Sequence, residues 1–283
     1  MAKQTTISKE VFVEGIGLHT GKKSKVVFKP GNQDTGIVFV RVDLPNKTQI
    51  KASHENTVPS QAVRGSVIEK DGAMIYTIEH IMACSNAFGI DNMIVEINGT
   101  EPPILDGSAE VFAQILSDAN IQELPADKQY LVLEEPMSFE SGKTKYSAYP
   151  CERLEIDCSI GFDHPFLKSQ HLALPEINKE VFLKEIAPAK TFCFDYEIEA
   201  LQKNNLALGG SMDNAIVIGI DSIHNKEPLR YKDEFVRHKI LDLIGDLYFA
   251  GYAIKAQIIA DKPGHKNNIN FVKEFLKKAK LVK

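Results

Sequence analysis

Three polar side chains recur at four-residue intervals on an otherwise apolar helical segment: His238, Asp242 and Asp246. Residues four apart lie on one face of a helix, so the three form a single stripe. Their neighbours are mostly Phe, Val, Ile and Leu, which predicts a buried helix. Buried carboxylates are costly unless they are paired or bind a metal. The pattern therefore favours a metal centre or catalytic groups over a polar stripe that faces solvent.

A catalytic zinc site needs a third protein ligand, and His80 is the candidate. If Thr77 caps a helix that runs to about Phe88, His80 lies in its first turn. There the helix dipole disfavours protonation and leaves the imidazole free to bind a metal. Glu79 would then stand beside the reacting water. His265 follows a Pro-Gly pair at a loop or loop–helix junction, where its imidazole could act as an acid.

The predicted elements that must position these residues form two successive groups along the chain. The first group has strands rich in β-branched residues, a Gly-rich turn at 15–21, and two helices that begin near residues 77 and 108. The polar, Pro-containing segment 123–128 is interpreted as a linker. The elements predicted after the linker are strands at 130–133, 154–160 and 215–220 and helices at 179–186, 196–204 and 233–250. Without strict strand–helix alternation, the order predicts an α+β fold in two domains, 1–125 and 129–283.

Composition excludes several classes of protein. The formal net charge of −5 disfavours nucleic-acid binding, which depends on Lys and Arg. No apolar run reaches the roughly 18 residues of a transmembrane helix. The N-terminal residues lack the apolar stretch of a secretory signal. The four cysteines form no CxxC pair, which favours reduced thiols and a cytoplasmic location.

Taken together, the segments resemble the zinc-dependent UDP-3-O-acyl-N-acetylglucosamine deacetylases of bacterial lipid A synthesis. The resemblance covers essentially the whole chain. The matching stretches are GIGLHTG (15–21), TIEHIMA (77–83), GIDN (89–92), EPPILDGSA (101–109), FDHP (162–165), TFCFDYE (191–197), GGSMDNAIV (209–217), EFVRHKILDLIGDL (234–247) and GH (264–265).

The resemblance implies two domains, each a two-layer sandwich of helices packed on a sheet, with the active site at the domain interface. It implies one Zn²⁺ per chain held by His80, His238 and Asp242, and Fe²⁺ is an alternative for such ligands. The implied reaction hydrolyses the N-acetyl group of an acylated UDP-sugar, as in lipopolysaccharide synthesis of Gram-negative bacteria. The expected partner is that substrate, with no nucleic acid and no transmembrane segment, and we expect a monomer.

The resemblance also assigns roles to side chains. Glu79 is expected to act as the base and His265 as the acid, with Asp246 orienting the imidazole. The hydroxyl of Thr191 and the charge of Lys239 are expected to stabilise the oxyanion.

Substrate contacts follow from the same resemblance. Phe162 and Glu197 are expected along the path of the nucleotide sugar, Phe192 beside the sugar, and Leu18 at the passage for the acyl chain. Gly210 lies in a loop that is either a turn or a close approach of backbone to ligand, and we expect it to contact substrate. Lys143 and Lys145 are alternative contacts for the diphosphate.

Some positions depart from the family's pattern, and two other functions stay open. Lys190 stands where many relatives have Arg, Asn267 stands at a position that is usually apolar, and residues 60–66 match poorly. One alternative is a zinc amidase that acts on another acylated amide. The other is a metal-dependent binding protein without catalysis, which would need neither the Glu79 base nor the His265 acid.

Overall fold

The apolar segment that carries His238 and Asp242 forms a buried helix, α5 (Glu234–Leu247). The computed structural model describes residues 2–283. A 3₁₀ turn, Tyr248–Ala250, continues α5, so the helix predicted at 233–250 is confirmed. All of its Phe, Val, Ile and Leu residues are buried, because helix α1 (Glu79–Ala87), helix α6 (His265–Lys278) and the sheet of the C-terminal half pack around it.

The N-terminal half is built on a five-stranded sheet in the order β2-β3-β8-β4-β5. Adjacent strands of this sheet pair antiparallel, except β4 and β8, which pair parallel. Phe112 of α2 packs edge-on against Phe28 of β3, which covers one face of the sheet with a helix. The elements of this half are β1 (Lys3–Ile7), β2 (Val11–Ile16), β3 (Lys23–Pro30), β4 (Ile37–Arg41), β5 (Gln49–Lys51), β6 (Val67–Lys70), β7 (Ala73–Tyr76), α1 (Glu79–Ala87), β8 (Met93–Ile97), α2 (Glu110–Asp118) and β9 (Ile121–Asp127).

The C-terminal half is built on a seven-stranded sheet whose central strand is β17 (Ala253–Asp261). Alternate residues of β17 are buried, as expected for a strand with one covered face. The other strands of this half are β10 (Tyr130–Val132), β11 (Met137–Ser141), β12 (Thr144–Pro150), β13 (Glu155–Gly161), β14 (Ser169–Leu174), β15 (Phe192–Phe194), β16 (Ile216–Ile218) and β18 (Lys280–Val282). Its other helices are α3 (Lys179–Val181), extended by a π-turn at Phe182–Ile186, α4 (Asp195–Lys203) and α6 (His265–Lys278).

Helices α1 and α5 join the two halves, and they pack against each other more extensively than any other pair of elements. Gly245 permits this approach, since a Cβ there would lie 3.0 Å from the carbonyl carbon of Glu79. The buried apolar residues of both halves form one continuous core. The first turn of α1 and the middle of α5 are therefore held face to face.

The α+β class predicted from sequence is confirmed, but the linker is wrong. Residues 121–127 form strand β9, which pairs antiparallel with β1 at the start of the chain. The polar residues misled the prediction because β9 has only one neighbouring strand and all of its residues are only partly buried or exposed. The domain bounds 1–125 and 129–283 stay a prediction. Among residues 2–283, no helix has both the length and the apolar character needed to cross a membrane.

Candidate metal centre and active site

A buried group of three ligand-type side chains lies where α1 meets α5. His80 comes from the first turn of α1, and His238 and Asp242 lie one turn apart on α5; one ligand atom from each lies within 4.8 Å of the others. The Nδ1 atoms of the two imidazoles lie 3.3 Å from the carbonyl of Ser108 and 3.0 Å from that of Ala189. Carbonyls in these positions hold the proton on Nδ1 and leave Nε2 free to bind a metal.

The charges around this group suit a divalent cation. Burial lowers the pKa of His80 to about 4 and lowers that of His238, so both rings are neutral near pH 7. Burial would raise the pKa of Asp242, but the nearby Lys239 and His238 hold it well below its usual range. Lys239 Nζ lies 2.6 Å from one oxygen of Asp242, and the other oxygen lies 3.5 Å from His238 Nε2. Two neutral imidazoles and one carboxylate are the protonation states that metal binding requires.

Glu79 and His265 lie next to each other beside the same group. His265 Nε2 lies 3.9 Å from Glu79 Oε1 and 3.7 Å from Asp242 Oδ2. Burial raises the pKa of Glu79 to about 7, against the opposing effect of His265. Burial alone would lower the pKa of His265, but the carboxylates of Asp246, Asp242 and Glu79 raise it to about 9. A carboxylate able to accept a proton therefore stands beside an imidazolium able to donate one.

Asp246 lies behind His265, fully buried. Its Oδ2 lies 2.9 Å from His265 Nδ1 and accepts a hydrogen bond from Asn268 Nδ2 at 2.8 Å. Its Oδ1 accepts a hydrogen bond from the hydroxyl of Ser66. The backbone N–H of Ser66 donates to Glu79 Oε2 at 2.9 Å, so one residue contacts both the carboxylate behind His265 and the predicted base.

These groups open into a cavity of about 480 Å³. Thr191 and Lys239 line it together with Glu79, His265 and the three metal-ligand candidates. The rest of the lining is mostly apolar and includes Leu18, Val63, Ile104, Phe162, Phe192, Phe194, Ile198, Leu201, Ala207, Met212, Ala215 and Val217. An apolar cavity with a few convergent polar groups at one place is the usual form of a site for a substrate with a hydrocarbon part.

The family comparison fits this arrangement. A sequence model for the family described as UDP-3-O-acyl N-acetylglycosamine deacetylase matches residues 4–277. The chain belongs to this deacetylase family.

Individual relatives match over nearly the full chain. A protein of Syntrophotalea carbinolica named UDP-3-O-acyl-N-acetylglucosamine deacetylase is 40% identical over 279 residues, which are 99% of this chain and 89% of the relative. Proteins with the same name from Shewanella violacea and Geobacter sp. are each 41% identical over 278 residues, 98% of this chain and 90% of each relative. The similarity therefore spans the elements that carry the site in this chain.

The structure brings the sequence-predicted residues of this deacetylase-family chain to one place. Every predicted metal ligand, and every predicted catalytic residue except Asp246, lines the cavity. The predicted substrate contacts Leu18, Phe162, Phe192, Glu197 and Gly210 line it too. Their roles stay predictions. Lys143 and Lys145 are not among the lining residues described, and the exposed Lys145 pairs with Glu140 at 3.3 Å.

The predicted cap of α1 is wrong. Thr77 adopts a left-handed backbone conformation (φ 57°), and its hydroxyl donates to Glu101 Oε1 at 3.0 Å instead of capping the helix. Ile78 occupies the cap position without a side-chain hydrogen bond. His80 nevertheless lies in the first turn, as predicted.

Sequence reasoning missed Ser66, Glu101, Tyr146 and Asn268. Glu101 is 2% exposed and accepts hydrogen bonds from the backbone N–H groups of His19 and Thr20, which anchors the Gly-rich turn beside the cavity. Asn268 had a usable signal, because it lies three residues after His265 and so shares its helix face. Ser66 and Tyr146 had none, since their contacts join segments far apart in the chain.

Proposed function

We propose that this chain hydrolyses the N-acetyl group of UDP-3-O-acyl-N-acetylglucosamine with the help of zinc, releasing acetate and the free amine for lipid A synthesis. Membership of the deacetylase family supports the reaction and substrate. The observation that carries the chemistry is the placement of Glu79 and His265 next to each other, beside Asp242 of the His80–His238–Asp242 group. A site for binding alone would need neither a base nor an acid there.

A zinc ion held by His80, His238 and Asp242 would supply a Lewis acid that polarises the amide carbonyl and makes water a better nucleophile. Fe²⁺ also suits these nitrogen and oxygen ligands. Restoring zinc or Fe²⁺ separately to the metal-free protein distinguishes which metal supports activity.

The protein's own groups then move the protons and stabilise the developing charge. Glu79 accepts the proton of the attacking water, since its raised pKa makes it a competent base near neutral pH. Thr191 and Lys239 line the cavity beside it and stabilise the negative oxygen of the tetrahedral intermediate. His265 gives its proton to the leaving nitrogen, and Asp246 keeps the imidazole in place.

The apolar part of the cavity accounts for the acyl chain on the substrate. Each methylene group buried there contributes about 0.8 kcal/mol. We place Leu18 at the passage for this chain, Phe162 and Glu197 along the path of the nucleotide sugar, and Phe192 beside the sugar, with Gly210 as a further substrate contact. All five line the cavity. All the groups of the site come from one chain, so the proposed chemistry needs no second copy. The four free cysteines support a reducing compartment such as the cytoplasm.

The test compares acetate release from UDP-3-O-acyl-N-acetylglucosamine and from UDP-N-acetylglucosamine, which lacks the acyl chain. We expect kcat/KM to be orders of magnitude higher for the acylated substrate, because each lost methylene contact weakens transition-state binding. Equal rates on the two would point to a zinc amidase of different specificity. No release from either substrate by metal-loaded protein would overturn the hydrolase and favour a binding protein.

A further inference from the structure

A buried chain of hydrogen bonds runs from Tyr146 through Asn268 to Asp246. The hydroxyl of Tyr146 donates to Asn268 Oδ1, and Asn268 Nδ2 donates to Asp246 Oδ2 at 2.8 Å. Tyr146 is 1% exposed, and Asn268 and Asp246 are fully buried. Neither Tyr146 nor Asn268 is among the residues that line the cavity. The two side chains are therefore placed to act through Asp246 and not on a substrate.

Each hydrogen-bond partner of the Asp246 carboxylate offers it a proton. Ser66 donates to Oδ1, while Asn268 and His265 Nδ1 approach Oδ2. An ionised carboxylate only accepts hydrogen bonds, so the proton between it and His265 belongs to Nδ1. The other nitrogen, Nε2, then points to the cavity. The position of the Asp246 oxygens therefore sets the orientation of the His265 ring.

Tyr146 determines which end of the Asn268 amide faces Asp246. An amide presents an oxygen on one side and an NH₂ on the other, and only the NH₂ can bind a carboxylate. Burial raises the pKa of Tyr146, so its hydroxyl keeps its proton and binds the amide oxygen. The Tyr146 ring is itself fixed by stacking on Phe271, with ring centres 4.6 Å apart. Without the hydroxyl, the amide could turn its oxygen towards Asp246 and repel it.

We propose that Asn268 and Tyr146 are positioning residues for the acid: they hold Asp246 where it accepts the Nδ1 proton of His265 and keeps Nε2 directed into the cavity. This inference rests on the proposed function, in which His265 protonates the leaving amine. It adds two residues to the machinery, from strand β12 and helix α6, that do not line the cavity.

The experiment compares Asn268→Ala and Tyr146→Phe with wild type and with Asn267→Ala. Asn267 is the matched control, because it lies next to Asn268 on α6 and its amide donates to Thr144 at 2.9 Å, not to Asp246. Tyr146→Phe removes only the hydroxyl and keeps the stacked ring, so it serves if Asn268→Ala fails to fold. Metal content and thermal unfolding are measured for each variant.

Two readouts separate positioning from general structure. We expect kcat to fall about 10-fold in Asn268→Ala and about 5-fold in Tyr146→Phe, with KM unchanged and Asn267→Ala within about twofold of wild type. In ¹⁵N-resolved proton spectra of the metal-loaded protein, the Nδ1–H signal of His265, assigned by its loss in His265→Gln, should broaden or shift in the first two variants and not in Asn267→Ala.

A loss of kcat no larger than in Asn267→Ala, or an Nδ1–H signal unchanged in both Asn268→Ala and Tyr146→Phe, would overturn the proposal. An unaffected Tyr146→Phe would remove Tyr146 from it. If wild type releases no acetate, the proposed function fails, and the Nδ1–H signal still decides whether the chain of hydrogen bonds orients His265.

Discussion

Replacing Gly245 by Ala should pull the metal centre apart without touching a ligand. A Cβ at position 245 would lie 3.0 Å from the carbonyl carbon of Glu79 and 3.1 Å from its Cα, and closer still to its carbonyl oxygen. Ordinary contacts begin at 3.4 Å. The obstructing atoms are backbone, so relief requires α1 and α5 to separate, by about 1 Å at the oxygen.

Separating α1 from α5 costs stability and displaces the residues of the site. Overpacking costs about 1–3 kcal/mol, and the better helix propensity of Ala returns at most about 1 kcal/mol of it. The protein should therefore remain folded but lose alignment, because Glu79 and His80 move with α1 while His238 and Asp242 stay with α5. A displacement of about 1 Å at a catalytic site can cost about 100-fold in rate.

The assay measures zinc affinity by competition with a chelator, and kcat by acetate release. We expect affinity to fall at least about 10-fold and kcat about 100-fold, with a small loss of thermal stability. Gly99→Ala is the control, since a Cβ at Gly99 meets no atom within 4 Å and its φ is not positive. Wild-type zinc affinity and turnover in Gly245→Ala would refute the idea that close packing of α1 on α5 builds the site.

Three further perturbations test separate parts of the site. Glu79→Gln should keep its metal, measured by elemental analysis, while kcat falls at least about 100-fold because the amide cannot accept the water proton; near-wild-type turnover would remove Glu79 as the base. Ser66→Ala keeps the backbone N–H that binds Glu79 but removes the hydroxyl that donates to Asp246. The free energy of unfolding, measured in urea, should therefore fall by about 1–3 kcal/mol, and kcat should fall about 10-fold. A change in KM alone would contradict this. Chelation should lower the melting temperature by about 7 °C when the metal had been present at about 1,000 times its Kd, and an unchanged melting curve would argue against a bound metal.

The sequence was most informative where spacing within one element carried the chemistry. His238 and Asp242 are four residues apart in a segment too apolar to face solvent, so both the helix and the buried pair could be predicted. His80 could be proposed only as a partner from elsewhere in the chain, because nothing in its own segment requires a metal. The α+β class followed from the order of strands and helices.

Contacts between distant segments could not be read from the sequence. The Thr77 hydroxyl donates to Glu101, and Thr77 has a left-handed backbone in place of the expected cap. Strand β9 looked like a linker because its pairing with β1 joins residues more than a hundred positions apart, and pairing at that distance leaves no local pattern. Ser66 lies in the segment that matched the family pattern poorly, yet it contacts both Glu79 and Asp246.

We propose that hydrolysis of the N-acetyl group depends on a metal held by His80, His238 and Asp242. The most direct test is acetate release from UDP-3-O-acyl-N-acetylglucosamine by purified protein before chelation, after chelation, and after one equivalent of zinc or iron(II) is restored. We predict that activity disappears with the chelator and returns with one equivalent of zinc. Full activity after verified removal of the metal would show that the reaction does not depend on it.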